Sequence, residues 1–171
     1  MEYTVSENEK NLGAFIHLST FAKYFFPFAN FFAPLLLWTL NKEKPFVNEH
    51  GRQAINFQFS ILLYTILIGL LFIPFFMIFA IDFVSLIDAI DHTVHELRYQ
   101  DIKNLSGYIL LISLAVLLLS GLFIFELYAV ITATMQATKG KTYKYPLSIP
   151  FIKLNPPSKK ETNTTEHEHS S

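Results

Sequence analysis

Glu126 is the one acidic residue between Asp101 and Glu161, and it interrupts a long apolar stretch of this 171-residue chain. An ionisable side chain inside a membrane helix is costly and by default marks function. Its chemistry admits two readings. It is a proton or substrate handle, or a buried charge that pairs with Lys23 or His17 and pins the N-terminal segments. If about 20 residues cross the bilayer core, then Gln53, Asn56, Gln58 and Ser60 lie level with it. Gln53, Asn56, Ser60 and Tyr64 are spaced 3, 4 and 4, so they share one helix face. Gln53, Asn56, Gln58, Ser60, Glu126, His17 and Lys23 are thus the candidate polar layer at the membrane interface. The layer lines a path, or it supplies the interhelical hydrogen bonds that ordinarily join membrane helices.

Other residues carry weaker signals. His92 and His95 stand with Asp88, Asp91 and Glu96 at helical spacing, which brings ligands together. The order Asp-His-Thr-Val-His-Glu is not the zincin order His-Glu-x-x-His, however, and a solvated acidic face accounts for it. The terminal Glu-His-Glu-His has no supporting shell. Ser106, Ser113 and Ser120 repeat every seven residues and predict a close-packed helix face. Asn163-Thr164-Thr165 matches a glycosylation acceptor, but on the cytoplasmic side. With no Cys in the chain there is no thiol catalysis and no disulfide framework. Phosphate loops, nucleophile elbows and nucleic-acid modules are all missing from the sequence. The residues therefore predict no catalytic site, no metal site and no cofactor.

The elements that position the layer are membrane helices. Gln53–Ile81 contains no Asp, Glu, Lys, Arg or His over 29 residues, about 43 Å of helix. Leu105–Phe125 is a second uncharged run, of 21 residues, and its helical pattern continues to Thr138. Lys139-Gly140-Lys141 then ends it, with Gly in the C-terminal capping role. Hydrophobic residues make up 51% of the chain and mean hydropathy is +0.35, which agrees with a lipid environment. The fold class is an all-α integral membrane protein. It has two long transmembrane helices, about 48–81 and 104–138, and a Pro-broken N-terminal pair of short membrane helices, about 12–26 and 28–41.

Leu12–Leu40 reads as a hairpin because Pro27 and Pro34 interrupt it and each half, about 21 Å long, is short for a crossing. A single bent span is the alternative. Phe83, Ile87, Ile90, Val94 and Leu97 form an apolar stripe with acids opposite, which predicts an amphipathic external helix over about 83–98. Residues 1–10 read as a polar N-terminal segment, 11–153 as the membrane domain, and 154–171 as a disordered tail. Tyr143 and Tyr145, among lysines, suit the headgroup layer. The N-terminus carries no signal-peptide pattern.

Lys42, Lys44 and Arg52 precede the first span, and Lys139, Lys141, Lys144, Lys153, Lys159 and Lys160 follow the second. The 82–104 connection holds Asp82, Asp88, Asp91, Glu96 and Asp101 against only Arg98 and Lys103. Lysine and arginine accumulate in cytoplasmic loops. The expectation is a multi-pass cell-membrane protein, in a bacterial inner membrane, with both termini cytoplasmic.

Ala14-Phe-Ile-His-Leu-Ser19, Pro27-Phe-Ala-Asn-Phe-Phe-Ala-Pro-Leu-Leu-Leu-Trp38 and Pro45-Phe-Val-Asn-Glu-His-Gly-Arg-Gln-Ala-Ile-Asn-Phe-Gln58 come in that order. They are followed by Ala133, Ala137 and Lys139-Gly-Lys-Thr-Tyr-Lys-Tyr-Pro-Leu-Ser-Ile149. The set resembles a bacterial family of small membrane proteins whose domain has no assigned function. That family is distantly similar to the twenty-kilodalton subunit of the chloroplast inner-envelope protein import translocon. The resemblance implies four helical membrane segments and raises protein translocation as a role. It carries over no catalytic residue.

Function is therefore expected to be non-enzymatic, as a structural, assembly or protein-translocation-associated component. The alternative is a small oligomeric transporter or channel that uses Glu126 and the Gln53/Asn56/Ser60 stripe. The expected partners are the lipid bilayer and either further copies of the chain or a membrane protein complex, with no nucleic acid.

Overall fold

The computed structural model describes the backbone of residues 4–92 and 99–153, with the side chains of 82, 83 and 85–105 left aside. The described residues are helical, without strands. Helix α1 is Glu7–Leu18 and runs on into a 3-10 turn, Ser19–Tyr24. Helix α2 is Ala29–Thr39, α3 is Pro45–His92 and α4 is Tyr99–Thr138.

Helix α1 begins five residues earlier than the apolar pattern indicates. Ser6 Oγ accepts from the Glu9 amide, and the Glu9 carboxylate accepts from the Ser6 amide at 2.9 Å. This reciprocal capping box satisfies two otherwise unpaired N–H groups, so residues 7–10, expected as a polar segment, are helical. At the other end, Ser19 and Thr20 donate to the Ile16 and His17 carbonyls, each at 2.7 Å, where the helix tightens to 3-10 geometry.

The chain then reverses over residues 25–28. Phe28 takes φ 62°, the left-handed region, which costs an ordinary residue about 1–2 kcal/mol. Helix α2 folds back onto the 3-10 turn, so 12–41 is a hairpin and not one bent span. The tip is apolar: Phe25 is 91% exposed, and Phe26 and Phe28 are exposed as well.

Helix α3 starts with Pro45 at its first position, where a missing N–H has no cost. Two stretches, Pro45–Ile81 and Ser106–Thr138, are long and apolar enough to cross a membrane, each with a best-window mean hydropathy of 2.7. Helix α3 does not stop at Ile81. It continues unbroken to His92, so residues 83–92, expected in a separate surface helix, extend the span helix along its own axis. Residues 93–98 of that expected helix, and the expected tail beyond 153, lie outside the described residues.

Gly140, at φ 70°, ends α4. The Gly140 amide donates to Ala137 O at 2.9 Å and the Lys141 amide to Gln136 O at 3.0 Å, the paired closure that a left-handed glycine permits. Residues 141–153, which contain Pro146 and Pro150, then run without helix alongside α3.

Packing concentrates at this end. Phe57 and Ile61 of α3 meet Ala129, Val130 and Ala133 of α4, with Tyr145 closing the cluster. Ile16, Val47 and Ala54 form a second core with Trp38 against it. Further along, the helices expose their apolar side chains, among them Leu67, Leu70, Leu110 and Leu117. Ser106, Ser113 and Ser120 are exposed, and Ser113 bonds its own helix at Ile109 O.

Candidate functional site

The polar side chains singled out by sequence fall into three linked groups, all at the packed end. The first centres on Glu126, which is 3% exposed. Lys23, from the 3-10 turn, donates to both carboxylate oxygens, at 2.6 and 2.5 Å. Gln58 donates to Oε1 at 3.2 Å, and Asn30 of α2 donates to the Gln58 carbonyl at 2.8 Å. One carboxylate thus ties together the 3-10 turn, α2, α3 and α4. Both of its oxygens are engaged, which is the condition under which a buried charge pair is tolerated.

The second group is a chain of rings. His17 Nε2 lies 2.7 Å from His50 Nδ1, and Tyr145 Oη lies 2.8 Å from His17 Nδ1. Each imidazole nitrogen in such a contact must donate or accept in turn. Burial, reinforced by Tyr143 and Glu126, pushes the Tyr145 hydroxyl well above its usual range, so it stays protonated. The two bonds are coupled through the His17 tautomer: with Nδ1 accepting from Tyr145, Nε2 donates to His50. Phe46 packs on His50 at 4.3 Å, and Phe57 stacks on Tyr145 at 4.1 Å with planes 10° apart. The expected pairing of His17 with Glu126 does not occur, because the Tyr145 and His50 rings take both of its nitrogens. Tyr145, expected in the headgroup layer, is 2% exposed. Its stack on Phe57 places it in the core.

The third group is the stripe on α3. Asn56 donates to Ile152 O at 3.0 Å and accepts from the Ile152 amide at 2.8 Å, so one side-chain amide pairs with a backbone as a strand would. Ser60 accepts from the Ile149 amide at 2.8 Å and donates to Asn56 O. Tyr64 donates to Leu147 O at 2.7 Å. Gln53 turns instead to Glu49, at 2.8 Å. The stripe fastens residues 147–152, which cannot satisfy their own backbone groups in a helix or sheet. Gln53 and Asn56 also line a polar cavity beside that segment. Among the described residues, no group of three or more His, Asp or Glu side chains could hold a metal ion.

The segment Pro45–Arg52 orders the whole assembly. Asn48 accepts from Trp38 Nε1 at 2.8 Å, and Glu49 takes Arg52 Nη2 at 2.5 and 2.6 Å. A Cβ on Gly51 would stand 2.2 Å from Trp38 Cγ, so Trp38 can pack against this turn of α3 only because a glycine is there. The motif is thus built for contact with α1 and α2 as well as for helix entry.

A family model matches residues 8–152, that of MamF/MmsF, the magnetosome magnetite crystal formation protein family. The chain belongs to this family. No curated protein and no solved structure matches it. The match supports the bacterial small membrane-protein part of the resemblance read from sequence, whereas the likeness to the chloroplast translocon subunit is not shown. The family is associated with magnetite crystal formation, which is consistent with a non-enzymatic structural or assembly role. Nothing supports the transporter reading.

In this family member the sequence pointed to Glu126, Lys23 and Gln58 but missed His50 and Tyr145 as parts of the site. His50 lies 33 residues from His17 and Tyr145 lies 128 away, so no local period joins them. Two signals were available: His50 stands next to a glycine in the motif, and Tyr145 precedes a proline that frees the chain to turn inward.

Proposed function

We propose that this chain is a non-enzymatic, multi-pass component of the membrane in which magnetite crystals form, acting as a structural or assembly part with both termini on the cytoplasmic side. What carries the reading is the fate of the candidate polar layer. Lys23, Gln58, Glu126, His17, Asn56 and Ser60 are all engaged in joining helices to one another or to the C-terminal segment. In this reading the layer builds one end of the molecule and leaves the other to act. The connection 82–104 carries Asp82, Asp88, Asp91, Glu96 and Asp101, and carboxylate oxygens are hard donors suited to iron ions at a growing oxide surface. The long helices would set that acidic connection on the side opposite the lysines.

Complementation of a deletion strain in a magnetosome-forming host tests this. Asp88→Asn combined with Asp91→Asn and Asp101→Asn should change crystal size while the protein level stays normal. Glu126→Gln should lower the protein level. Normal crystals in the triple variant would remove the acidic connection from the account. Reporter fusions at residues 10, 92 and 160 should read inside, outside, inside, and an external N-terminus would overturn the orientation.

A further inference from the structure

A polar cavity of 390 Å³ lies between the start of α3 and the C-terminal segment, and nothing in the proposed mineral role uses it. Its size is that of a small-molecule site, for which about 300–1,000 Å³ is usual. Arg52 and Lys144 supply positive charge to the wall, and Thr142, Tyr143 and Ser148 supply hydroxyls. The Arg52 side chain is only 14% exposed, and its Nε is buried without a hydrogen-bond partner. Its Nη2 is held by Glu49 and its Nη1 reaches Ile152 O at 3.5 Å, so the guanidinium is fixed at the wall with one donor unused. Lys144 is exposed and forms no ion pair among the described residues. Glu49 is the one acid in the wall, and Arg52 Nη2 and Gln53 Nε2 already occupy its carboxylate. Donors therefore outnumber free acceptors, and the lining carries a net positive charge.

Depth identifies the guest. Arg52 immediately precedes the uncharged run Gln53–Ile81, so the cavity opens where the span helix leaves the hydrocarbon. Lipid phosphates lie at that level, and anionic headgroups attract basic residues there. We propose that the cavity binds a phosphate group, supplied by an anionic lipid headgroup, through Arg52, Lys144 and the neighbouring hydroxyls.

The test is native mass spectrometry of the full-length, delipidated protein in neutral detergent. The protein is titrated separately with phosphatidylglycerol, phosphatidylcholine and inorganic phosphate. Phosphatidylglycerol should be retained in preference to phosphatidylcholine. Lys144→Gln, at an exposed and unpaired position, should weaken that adduct about tenfold, the effect of one lost charge-assisted hydrogen bond. Glu49→Gln should strengthen it, since the acid of the wall is neutralised. Binding of inorganic phosphate without phosphatidylglycerol would keep the site and assign it to free phosphate. No phosphate-bearing adduct, or one equally strong in the wild-type, Lys144→Gln and Glu49→Gln proteins, would overturn the proposal.

Discussion

At the polar end of α3, a Cβ on Gly51 would stand 2.2 Å from Trp38; on the same helix, Gly69 has nothing within 4 Å. Gly13 and Gly140 are tight but less so, with Phe46 and Lys10 atoms at 3.1 Å, whereas Gly107 and Gly121 repeat the open situation of Gly69. The side chains follow the glycines. Ile16, Val47, Ala54 and Ala129 are fully buried, whereas Leu67, Leu110 and Leu117 are more than half exposed. The packed end has a buried core of its own, while the two arms leave their apolar surface for lipid. Polar residues follow the same division: at the packed end side chains bond across elements at 2.5–3.5 Å, with Arg52 Nε and His50 Nε2 left over, whereas Ser113 on an arm bonds its own helix.

This contrast can be broken from the packed side. Glu126→Leu leaves the partly buried Lys23 ammonium without its counter-charge and should cost about 3 kcal/mol, the lower end for a broken buried pair, read as a lowered denaturation midpoint in detergent. Gly51→Ala should cost about 1–3 kcal/mol, because Trp38 has to move. The same change at Gly69 should be neutral or stabilise by up to about 1 kcal/mol, from helix propensity alone. Equal effects at the two glycines would erase the distinction between the regions.

Tyr145→Phe keeps the stack on Phe57, removes the bond to His17, and should cost about 0.5–1.5 kcal/mol. That variant also sharpens the pH behaviour. A tyrosine whose folded-state pKa is raised contributes stability that is complete below the unfolded value, about 10. The contribution is lost as pH rises through the folded value. Alkaline titration should therefore destabilise the wild type above about pH 10, and destabilise Tyr145→Phe less. Identical alkaline profiles would contradict the buried, protonated Tyr145.

The arms were legible in the sequence because their physics is local: an uncharged run of sufficient length needs no partner to be recognised. The hairpin was legible too, through Pro27 and Pro34, whereas the sequence offered Lys23 and His17 alike as partners of Glu126, and the structure pairs it with Lys23. The Ser6–Glu9 capping box lay in plain sight, but in a segment read only for its polarity. The path of residues 141–153 was not legible. A non-helical stretch takes its course from whatever satisfies its backbone, and here that is Asn56, Ser60 and Tyr64. For the same reason the polar stripe on α3 could not be assigned from spacing alone, since spacing names a face and not what covers it. Residues 83–92 carry an amphipathic pattern, yet they prolong α3, because an apolar stripe at helical period is equally compatible with a continued helix.

The central claim is that the Lys23–Glu126 pair builds the fold and performs no chemistry. It is tested most directly by the double variant Lys23→Met, Glu126→Leu, assayed for magnetite crystal size in the complemented deletion strain at matched protein level. A buried ion pair replaced by apolar groups of similar volume is often tolerated. The account therefore predicts wild-type crystals from the double variant, although Glu126→Leu alone lowers the protein level. A double variant that accumulates normally but forms defective crystals would contradict it and return Glu126 to the functional site.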